Sequence, residues 1–374
     1  MPTANITPLR ITFVLSHADL SGGVRVVGIY ARKLMRRGHD VTIVSRPKRK
    51  PTLREVVRSK LTGRPVPSAA RAIGASHLDG MTDVRHVVID SFRPIEPRDV
   101  PDADVVIATW WETAEWVATF PPAKGVPLQF IQHYETHANM PSERVEATWR
   151  LPMQKIVVAK WLEETARHRF DDKRAIVVPN AVDLEQFQAP PRDRQTVPTI
   201  GLMHSPAPFK WTDIALKAIR EASSTVSNLR VVAFGTRAAD EALALPPGAH
   251  YVVQPPQDQI RDLYARCDAW LFASRSEGFG LPVLEAMACR TPVIGFPAGA
   301  APELLADGAG LLVPPQDGSA MAAAIVTVAG MDNAAWRAMS DKAHAVASRY
   351  TWDDATDRFE AALLQAVGRS DKNV

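Results

Sequence analysis

The chain has 374 residues, 46% of them hydrophobic and 23% charged, and its formal net charge is +3. This is the composition of an ordinary soluble globular protein, and the length is sufficient for two domains with ample cores. No apolar run approaches the roughly 20 residues that span a bilayer, and the first residues lack the layout of a signal peptide, so we expect any membrane contact to be peripheral.

The first elements have the pattern of a βαβ unit. An apolar run at 9–16 predicts a strand, a helix is predicted from about Val24 to Arg37, and Val41–Ser45 predicts the next strand. Gly22 and Gly23 lie between the first strand and the helix. In a doubly wound sheet, ligands bind at this end of the strands, although a tight turn alone also explains the two glycines.

The segment from Arg46 to Arg71 is basic and rich in proline, with nine Lys and Arg residues against one acid, Glu55. It predicts a loop with one short helix near Leu53–Leu61. Basic clusters attract anionic lipid headgroups or phosphates, at about 1 kcal/mol per charge near a membrane. Two interpretations stay open, a solvated loop and contact with an anionic membrane or a lipid-linked acceptor. Nucleic acid is not expected, because no aromatic residues are interleaved for base stacking.

Strands and helices continue to alternate along the chain. Further strands are predicted near residues 85–89, 104–109, 127–132, 155–159, 175–178, 199–203, 229–235, 250–253 and 269–274, and around Ile294 and Leu311. Helices are predicted at about Trp161–Phe170, Thr212–Ala222 and Trp352–Val367, and a proline-containing linker at Gln188–Pro198. The two cysteines, Cys267 and Cys289, lack metal-ligand spacing, which predicts reduced buried thiols and fits a cytoplasmic protein.

The most informative stretch is Ser274–Ala288, with the sequence SRSEGFGLPVLEAMA. It follows a buried strand, and Pro282 suits the first position of a helix. The glycines of this loop allow the backbone to approach a ligand. Free N–H groups at a helix start bind phosphate, and the carboxylates of Glu277 and Glu285 suit hydroxyl groups. Phosphate and hydroxyls together describe a sugar nucleotide.

The run EGFGLPVLE resembles the E-x7-E signature of retaining glycosyltransferases of family 4, which have the two-domain GT-B fold. Neighbouring segments at 263–269, 291–295 and 310–317 are also similar. The resemblance implies an α/β protein with two Rossmann-like, doubly wound domains that face each other across a cleft. We expect an acceptor-side domain at 1–188, a nucleotide-sugar-binding domain at 189–348, and a helix at 349–374 that crosses back to the first domain.

The resemblance also implies residue roles. Lys210 matches the family's phosphate-binding lysine, Glu277 the glutamate that contacts the transferred sugar, and Glu285 the one that binds ribose hydroxyls. His133 matches a histidine near the donor sugar, so Glu277, Lys210 and His133 are the catalytic candidates. The expected donor-binding residues are Gly22, Gly23, Lys210, Glu277, Gly278, Phe279, Gly280, Leu281 and Glu285. The candidates for acceptor binding are Trp110, Trp111, Tyr134 and Glu135.

One departure from the family concerns the diphosphate. Members usually carry an arginine five residues before the lysine, where this chain has Ser205, preceded by His204. Arg275 or Arg237 is a candidate replacement, and a contribution from His204 is the third alternative.

No DxD motif lies at a predicted strand end, since Asp99–Asp102 and Asp171–Asp172 fall in predicted surface turns. The resemblance therefore implies metal-independent transfer without a cofactor, from a nucleotide-diphosphate sugar to a glycan or lipid-linked acceptor. Retention is expected through same-face attack, in which the departing phosphate takes the acceptor's proton. The setting would be cell-surface polysaccharide or glycolipid synthesis at the cytoplasmic side of a membrane. The alternatives are a sugar-nucleotide epimerase of the same fold and a non-catalytic protein that binds a nucleotide sugar or a glycan.

Overall fold

The computed structural model of the protein describes residues 7–49, 52–62, 76–136, 140–239 and 241–368. The chain divides into two compact units. The first contains the described residues of Met1–Val158, Leu162–Val178 and Thr356–Val374, and the second contains those of Ala159–Trp161 and Pro179–Ala355. Part of the basic segment, namely residues 50–51 and 63–71, lies outside the described residues.

The first unit is built on a seven-stranded sheet. Its strands are β1 (Arg10–Leu15), β2 (Asp40–Ser45), β3 (Arg85–Val88), β4 (Val105–Ala108), β5 (Val126–Ile131), β6 (Gln154–Val157) and β7 (Ile176–Val177). Its helices are α1 (Gly22–Arg36), α2 (Leu53–Thr62), α3 (Trp111–Val117), α4 (Ser142–Trp149) and α5 (Lys160–Phe170), the last of which begins with residues of the second unit. The helix predicted near Leu53–Leu61 is confirmed as α2.

All pairs in this sheet are parallel, and the strand order is β3-β2-β1-β4-β5-β6-β7. Four consecutive buried residues form β4, because helices cover both faces of a parallel sheet and strands there are apolar throughout. The strand order reverses between β1 and β4. In doubly wound sheets, this reversal opens a crevice at the carboxyl ends of the strands, where ligands bind.

The second unit repeats this plan with six strands. They are β8 (Thr199–His204), β9 (Arg230–Gly235), β10 (His250–Val253), β11 (Ala269–Phe272), β12 (Val293–Gly295) and β13 (Gly310–Leu312). The helices are α6 (Thr212–Ala222), α7 (Ile260–Ala265), α8 (Leu281–Ala288), α9 (Ala301–Leu304), α10 (Gly318–Gly330) and α11 (Asn333–Ala347). The parallel order β10-β9-β8-β11-β12-β13 places the reversal between β8 and β11.

The final helix, α12 (Trp352–Ala366), starts in the second unit and continues in the first from Thr356. The ring of Phe359 stacks on Tyr30 with centroids 4.3 Å apart. The carboxylate of Glu360 lies 2.7 Å from His39 Nε2 and 2.5 Å from an Arg37 guanidinium nitrogen. An aromatic contact, an ion pair with Arg37 and a hydrogen bond with the buried His39 therefore fix this helix on the first unit.

One expectation about the turns is wrong. Asp172 was expected in a surface turn, yet its side chain is buried and accepts a hydrogen bond from Lys155 Nζ at 2.7 Å. The cause is the position of Lys155 in β6, where the lysine is itself buried and its charge requires an anionic partner. Both cysteines are free and buried, as the sequence predicts. Within the described ranges, no helix is both long and apolar enough to cross a membrane.

Candidate active site

Lys210 and Glu277 lie side by side at the carboxyl edge of the second unit's sheet. Lys210 is in the loop after β8 and Glu277 in the loop after β11, the two strands that flank the reversal. The Lys210 ammonium contacts Glu277 Oε1, and both side chains are mostly buried. A backbone hydrogen bond of 2.8 Å from the N–H of Arg275 to the carbonyl of Phe209 holds the loops together. The fold thus pairs a cation and a carboxylate where doubly wound sheets bind ligands.

Ser274 is a third member of this cluster, to which the sequence analysis assigned no role. Its buried hydroxyl donates to Glu277 Oε1 at 2.6 Å. The same carboxylate oxygen therefore meets a hydroxyl and an ammonium, which fixes its direction. A serine at the end of β11, three residues before the glutamate, is the sequence signal for this contact.

Two glycines fix the loop that carries Glu277. Gly280 has a φ of 96°, and a Cβ there would lie 3.0 Å from the ring of Phe272. Gly299 has a φ of 60°, and a Cβ there would lie 2.5 Å from the carbonyl oxygen of Phe279. Both positions therefore require glycine, for backbone conformation and for space.

Glu285 lies on α8 and is buried. The Tyr264 hydroxyl donates to Glu285 Oε2 at 3.0 Å. The sequence analysis did not identify Tyr264, because its position in α7 carries no sign of this contact. The second glutamate of the motif is thus held by the protein itself.

A small pocket, open to solvent, lies beside this cluster. The polar residues that line it are Lys210, Thr212 and Ser274, and Pro282 at the start of α8 closes one side. A cation, two hydroxyls and a helix start thus border one space, which suits an anionic, hydroxylated ligand.

The residues at the position of the missing arginine have partners within the protein. Ser205 Oγ accepts a hydrogen bond from the N–H of Ala207 at 3.2 Å. His204 is buried, and its Nε2 lies 2.9 Å from the carbonyl oxygen of Leu243, so this nitrogen carries the proton and donates. His204, one of the three candidate replacements for the arginine, therefore already has a backbone partner. Arg275 and Arg237 are both exposed.

In the first unit, the structure brings the glycine loop next to the segment that carries His133. Gln132 Nε2 donates to the carbonyl oxygen of Gly23 at 3.3 Å, and a Cβ on Gly23 would lie 3.3 Å from the same side chain. Gly22 and Gly23 form the first residues of α1, and the Ser21 hydroxyl caps this helix by accepting the Val24 N–H. The loops after β1 and β5 thus meet at the carboxyl edge of this sheet.

His133 and Glu135 line a second, small cavity, together with Trp110, Trp111 and Gln129. Glu135 is buried, and the backbone N–H of Trp111 donates to its carboxyl group at 3.1 Å. Burial raises the pKa of Glu135 to about 8, and this hydrogen bond opposes the rise only in part. The carboxyl group is therefore predominantly protonated at neutral pH.

Two more polar atoms of this cavity are buried. Within the part of the chain that the structure describes, the indole Nε1 of Trp111 and the Oε1 of Gln129 have no hydrogen-bond partner. An unpaired donor and an unpaired acceptor in one cavity are suited to water or a ligand hydroxyl. Gln129 is buried in β5. In the sequence, the one sign of a special role is that a polar residue interrupts an apolar run.

The remaining acceptor candidate, Tyr134, is directed away from this cavity. Its hydroxyl donates to Glu146 at 2.7 Å, and its ring packs edge-on against Trp149, with centroids 5.5 Å apart. Burial and the Glu146 carboxylate raise the pKa of Tyr134 to about 12. The ring of Trp111 is covered on one face by the Arg144 guanidinium at 4.6 Å. Of the two tryptophans, Trp110 is the more exposed.

The aspartates of the predicted surface turns are engaged by basic residues. Arg93 forms a two-pronged ion pair with Asp99 at 2.6 and 2.7 Å, and Lys155 holds Asp172. Among the residues that the structure describes, no group of three or more His, Cys, Asp or Glu side chains is arranged to hold a metal ion.

Comparison with known proteins finds similarity to glycosyltransferases in the part of the chain that contains Lys210 and Glu277. A sequence model described as "Glycosyl transferases group 1" matches residues 194–330. The D-inositol 3-phosphate glycosyltransferase of Mycobacterium marinum is 30% identical over 226 residues, which cover 54% of this chain and 47% of that protein. The exopolysaccharide phosphotransferase of Streptomyces coelicolor is 27% identical over 400 residues, covering 97% and 41%. The chain thus spans about half the length, or less, of these two relatives.

A fuller match is the D-inositol 3-phosphate glycosyltransferase of Acidothermus cellulolyticus, 27% identical over 96% of this chain and 91% of that protein. Among solved structures, sucrose-phosphate synthase from Thermosynechococcus elongatus gives a TM-score of 0.70 at 16% identity, covering 96% of this chain and all of the other. HepE from Anabaena, in complex with UDP and glucose, gives a TM-score of 0.73 at 16% identity with the same coverage.

Two Rossmann-like units with parallel sheets and these structural neighbours establish the GT-B fold, as the sequence predicts. Together with the sequence matches, the fold supports a glycosyltransferase of the GT-B class. The region similar to group 1 glycosyltransferases, residues 194–330, contains Lys210, Ser274, Glu277 and Glu285. The candidate site therefore lies in the part of the chain where the similarity was found.

Proposed function

We propose that the protein is a retaining, metal-independent glycosyltransferase of family 4. It moves a hexosyl group from a nucleotide-diphosphate sugar to a glycan or lipid-linked acceptor, in cell-surface polysaccharide or glycolipid synthesis. The observation that carries this proposal is the cluster of Lys210, Glu277 and Ser274 beside the strand reversal of the second unit. The matches to inositol phosphate glycosyltransferases and to an exopolysaccharide enzyme support the substrate class.

In the proposed reaction, Lys210 stabilises the charge that develops on the leaving diphosphate. The bond between the anomeric carbon and the phosphate oxygen breaks, the acceptor oxygen bonds to that carbon on the same face, and its proton passes to the departing phosphate. A cation already in place costs no reorganisation during the reaction, which is why such groups are effective. Glu277, held by Ser274, accepts hydrogen bonds from sugar hydroxyls and so positions the anomeric carbon.

The donor and acceptor sides have separate residue sets in this proposal. Glu285 binds the ribose hydroxyls, and Gly278, Phe279, Gly280 and Leu281 surround the sugar and its phosphates. In the first unit, Gly22, Gly23 and His133 belong to the donor sugar's surroundings. The acceptor meets Trp110, Trp111 and Glu135, which line the second cavity. Tyr134 belongs to the same set by its position in the chain, and its hydroxyl is bonded to Glu146.

The proposed location is the cytoplasm, at the inner face of a membrane. The basic residues of the Arg46–Arg71 segment support a peripheral contact with anionic lipid, since Arg54, Arg58 and Lys60 are all exposed on α2. A lipid-linked acceptor would be presented at such a surface.

The test is release of nucleoside diphosphate from a panel of UDP-, GDP-, dTDP- and ADP-sugars, with and without extracted glycan or lipid acceptors. Release that depends on the acceptor, with the anomeric configuration of the donor kept in the product by NMR, is the expected result. Unchanged turnover after EDTA treatment is expected for metal independence. Inversion of configuration would refute the retaining mechanism, and loss of activity in EDTA that Mg²⁺ restores would refute metal independence.

The same assay decides between the alternatives. A sugar-nucleotide epimerase of this fold needs acid and base groups and no acceptor, and the buried Glu135 beside His133 is the observation that favours it. Its signature is conversion of the donor to an epimer, with solvent deuterium incorporated into the sugar. A non-catalytic protein would bind a donor in calorimetry without any turnover.

A further inference from the structure

Helix α2 exposes an apolar stripe to solvent. Leu53, Val57 and Leu61 recur at every fourth position, so they share one face of the helix. Their exposed fractions are 86%, 53% and 81%, and no residue of α2 is buried. Large apolar side chains grouped in this way mark an interaction surface, because a folded chain otherwise buries such a stripe.

The opposite side of α2 faces the protein. Glu55, Val56 and Ser59 are half-buried. The helix start is fixed by a capping box, in which the Thr52 hydroxyl accepts the Glu55 N–H at 3.3 Å and the Glu55 carboxylate accepts the Thr52 N–H at 2.9 Å. Arg49 pairs with the same carboxylate at 2.8 Å. These contacts leave the apolar stripe directed outwards.

Basic residues flank the stripe on both sides. Arg54, Arg58 and Lys60 are exposed, and the helical repeat places Lys60 along one side of the stripe and Arg54 and Arg58 along the other. Arg46, although part of the same basic run, does not contribute to this surface. Its guanidinium is buried between the rings of Phe92 and Trp116 and donates to Glu112 at 2.7 Å.

Two neighbouring loops add apolar side chains at the same edge of the sheet. Leu20 follows β1 and Phe92 follows β3, and both are exposed. Because β1, β2 and β3 are parallel neighbours, the segments after them leave the sheet on one side. The contact of Arg46, at the end of β2, with the ring of Phe92 shows that the ends of β2 and β3 are close. We call the apolar stripe of α2 together with its flanking basic residues the α2 surface.

We infer that the α2 surface docks on an anionic lipid bilayer by inserting its apolar side chains into the headgroup region. At 1.5 Å per residue, the ten residues of α2 extend over about 15 Å, half the thickness of a bilayer core, so the helix lies in the membrane surface. Lysine and arginine reach the phosphates from such a position while their stems stay among the apolar groups. The inference rests on the proposed membrane contact and makes it more specific. Insertion of the apolar stripe of α2, rather than attraction by a run of charge, would hold the protein at the bilayer.

The occupant is a bilayer because basic residues border the stripe on both sides. A protein partner that covered the stripe and its borders would have to desolvate three basic side chains or supply acids to each of them, at a cost. Anionic headgroups supply that charge together with an adjacent apolar layer, and leave the ammonium and guanidinium groups hydrated.

The experiment is cosedimentation of the full chain with vesicles of phosphatidylcholine alone and of phosphatidylcholine with phosphatidylglycerol. One variant carries Leu53→Ser and Leu61→Ser, and a second carries Arg54→Gln, Arg58→Gln and Lys60→Gln. The matched control is Val126→Ser, since Val126 is an exposed apolar residue at the amino edge of the same sheet. Circular dichroism and thermal unfolding establish that each variant is folded.

Insertion predicts that the wild type binds the anionic vesicles and that the leucine variant binds about tenfold or more weakly, whereas Val126→Ser leaves binding unchanged. If only the basic variant and high salt weaken binding, the membrane contact stands and insertion is wrong. If the wild type binds neither vesicle, both are overturned. Glycosyl transfer to a water-soluble acceptor, measured in parallel, is independent of either outcome and keeps the test of function separate.

A second measurement reports how deeply α2 enters the bilayer. Since both native cysteines are buried, Leu61→Cys and, as control, Val126→Cys accept a polarity-sensitive fluorophore at one surface site each. Insertion predicts a blue shift with anionic vesicles at the first site only. Equal spectra at both sites would overturn the inference, and a blue shift with a bound protein but not with vesicles would assign the surface to a protein partner.

Discussion

Replacing Glu135 by glutamine should remove a large pH-dependent component of the protein's stability. The carboxyl group is 6% exposed, and burial raises its pKa from 4.5 to about 8 in the folded state. Because the folded-state pKa is the higher one, the group favours folding most below pH 4.5, and this contribution is lost as the pH rises towards 8 and above. Glutamine has the shape of the protonated form but does not ionise.

The magnitude follows from the two pKa values. At about 1.36 kcal/mol for each pH unit, the rise from 4.5 to about 8 corresponds to an upper limit of about 5 kcal/mol. The free energy of unfolding of Glu135→Gln, relative to the wild type, should therefore increase by several kcal/mol between pH 5 and pH 8.5. The hydrogen bond from the Trp111 N–H is retained, since the amide oxygen of glutamine also accepts.

The assay is urea unfolding of both proteins from pH 5 to pH 8.5, with Glu143→Gln as the matched control. Glu143 is an exposed glutamate on α4 of the same unit. Carbon-13 NMR of labelled glutamate carboxyl groups measures the pKa directly, and the signal missing from Glu135→Gln assigns it. A stability difference that does not change with pH, or a carboxyl group that titrates near 4.5, would refute the reasoning.

Three further predictions concern the second unit and the final helix. Lys210→Ala and Glu277→Ala should each lower kcat/KM by about 100-fold or more while the protein stays folded, and near-wild-type rates would remove the site assignment. Arg275→Gln should weaken binding of nucleoside diphosphate more than that of the monophosphate in calorimetry, whereas Arg237→Gln should not, because residue 275 is bonded through its backbone to the residue before Lys210. Equal effects of the two substitutions would contradict a specific role for the Arg275 guanidinium. Glu360→Ala should lower the free energy of unfolding by about 2 kcal/mol in urea, because it leaves the buried Nε2–H of His39 without its acceptor and removes one of the two carboxylates that pair with Arg37. An unchanged unfolding midpoint would show that Glu360 does not help to hold α12.

Much of the fold was predictable because parallel strands covered on both faces are continuous apolar runs. Four apolar residues in a row identified each of the strands Val105–Ala108 and Ala269–Phe272. The positions of glycine and proline indicated the loops and the helix starts. The βαβ alternation then determined the fold class, since parallel strands require crossover helices.

The contacts of the buried polar residues were harder to predict, because they depend on how the chain turns and packs. Ser274 and Glu277 are only three residues apart, but their hydrogen bond depends on the turn of the loop at the end of β11. Lys155 and Asp172 lie 17 residues apart, and only the packing of β6 shows that the lysine needs a buried anion. Gln129 likewise became notable only when its Oε1 was found buried beside Trp111.

The site has one cation fewer for a diphosphate than the family pattern, because Ser205 stands where an arginine is usual. Lys210 and Glu277 form a contact pair, so their charges largely cancel before any ligand binds. A diphosphate carries at least two negative charges, and one shared lysine is a weak attraction for it. Ser205 and His204 are engaged by Ala207 and Leu243, which leaves the extra cation to another loop. Arg275 is bonded through its backbone to the residue before Lys210, and it is exposed beside the pair. We therefore expect the diphosphate to meet Arg275 first and to displace Glu277 from Lys210, which frees the glutamate to bind the sugar.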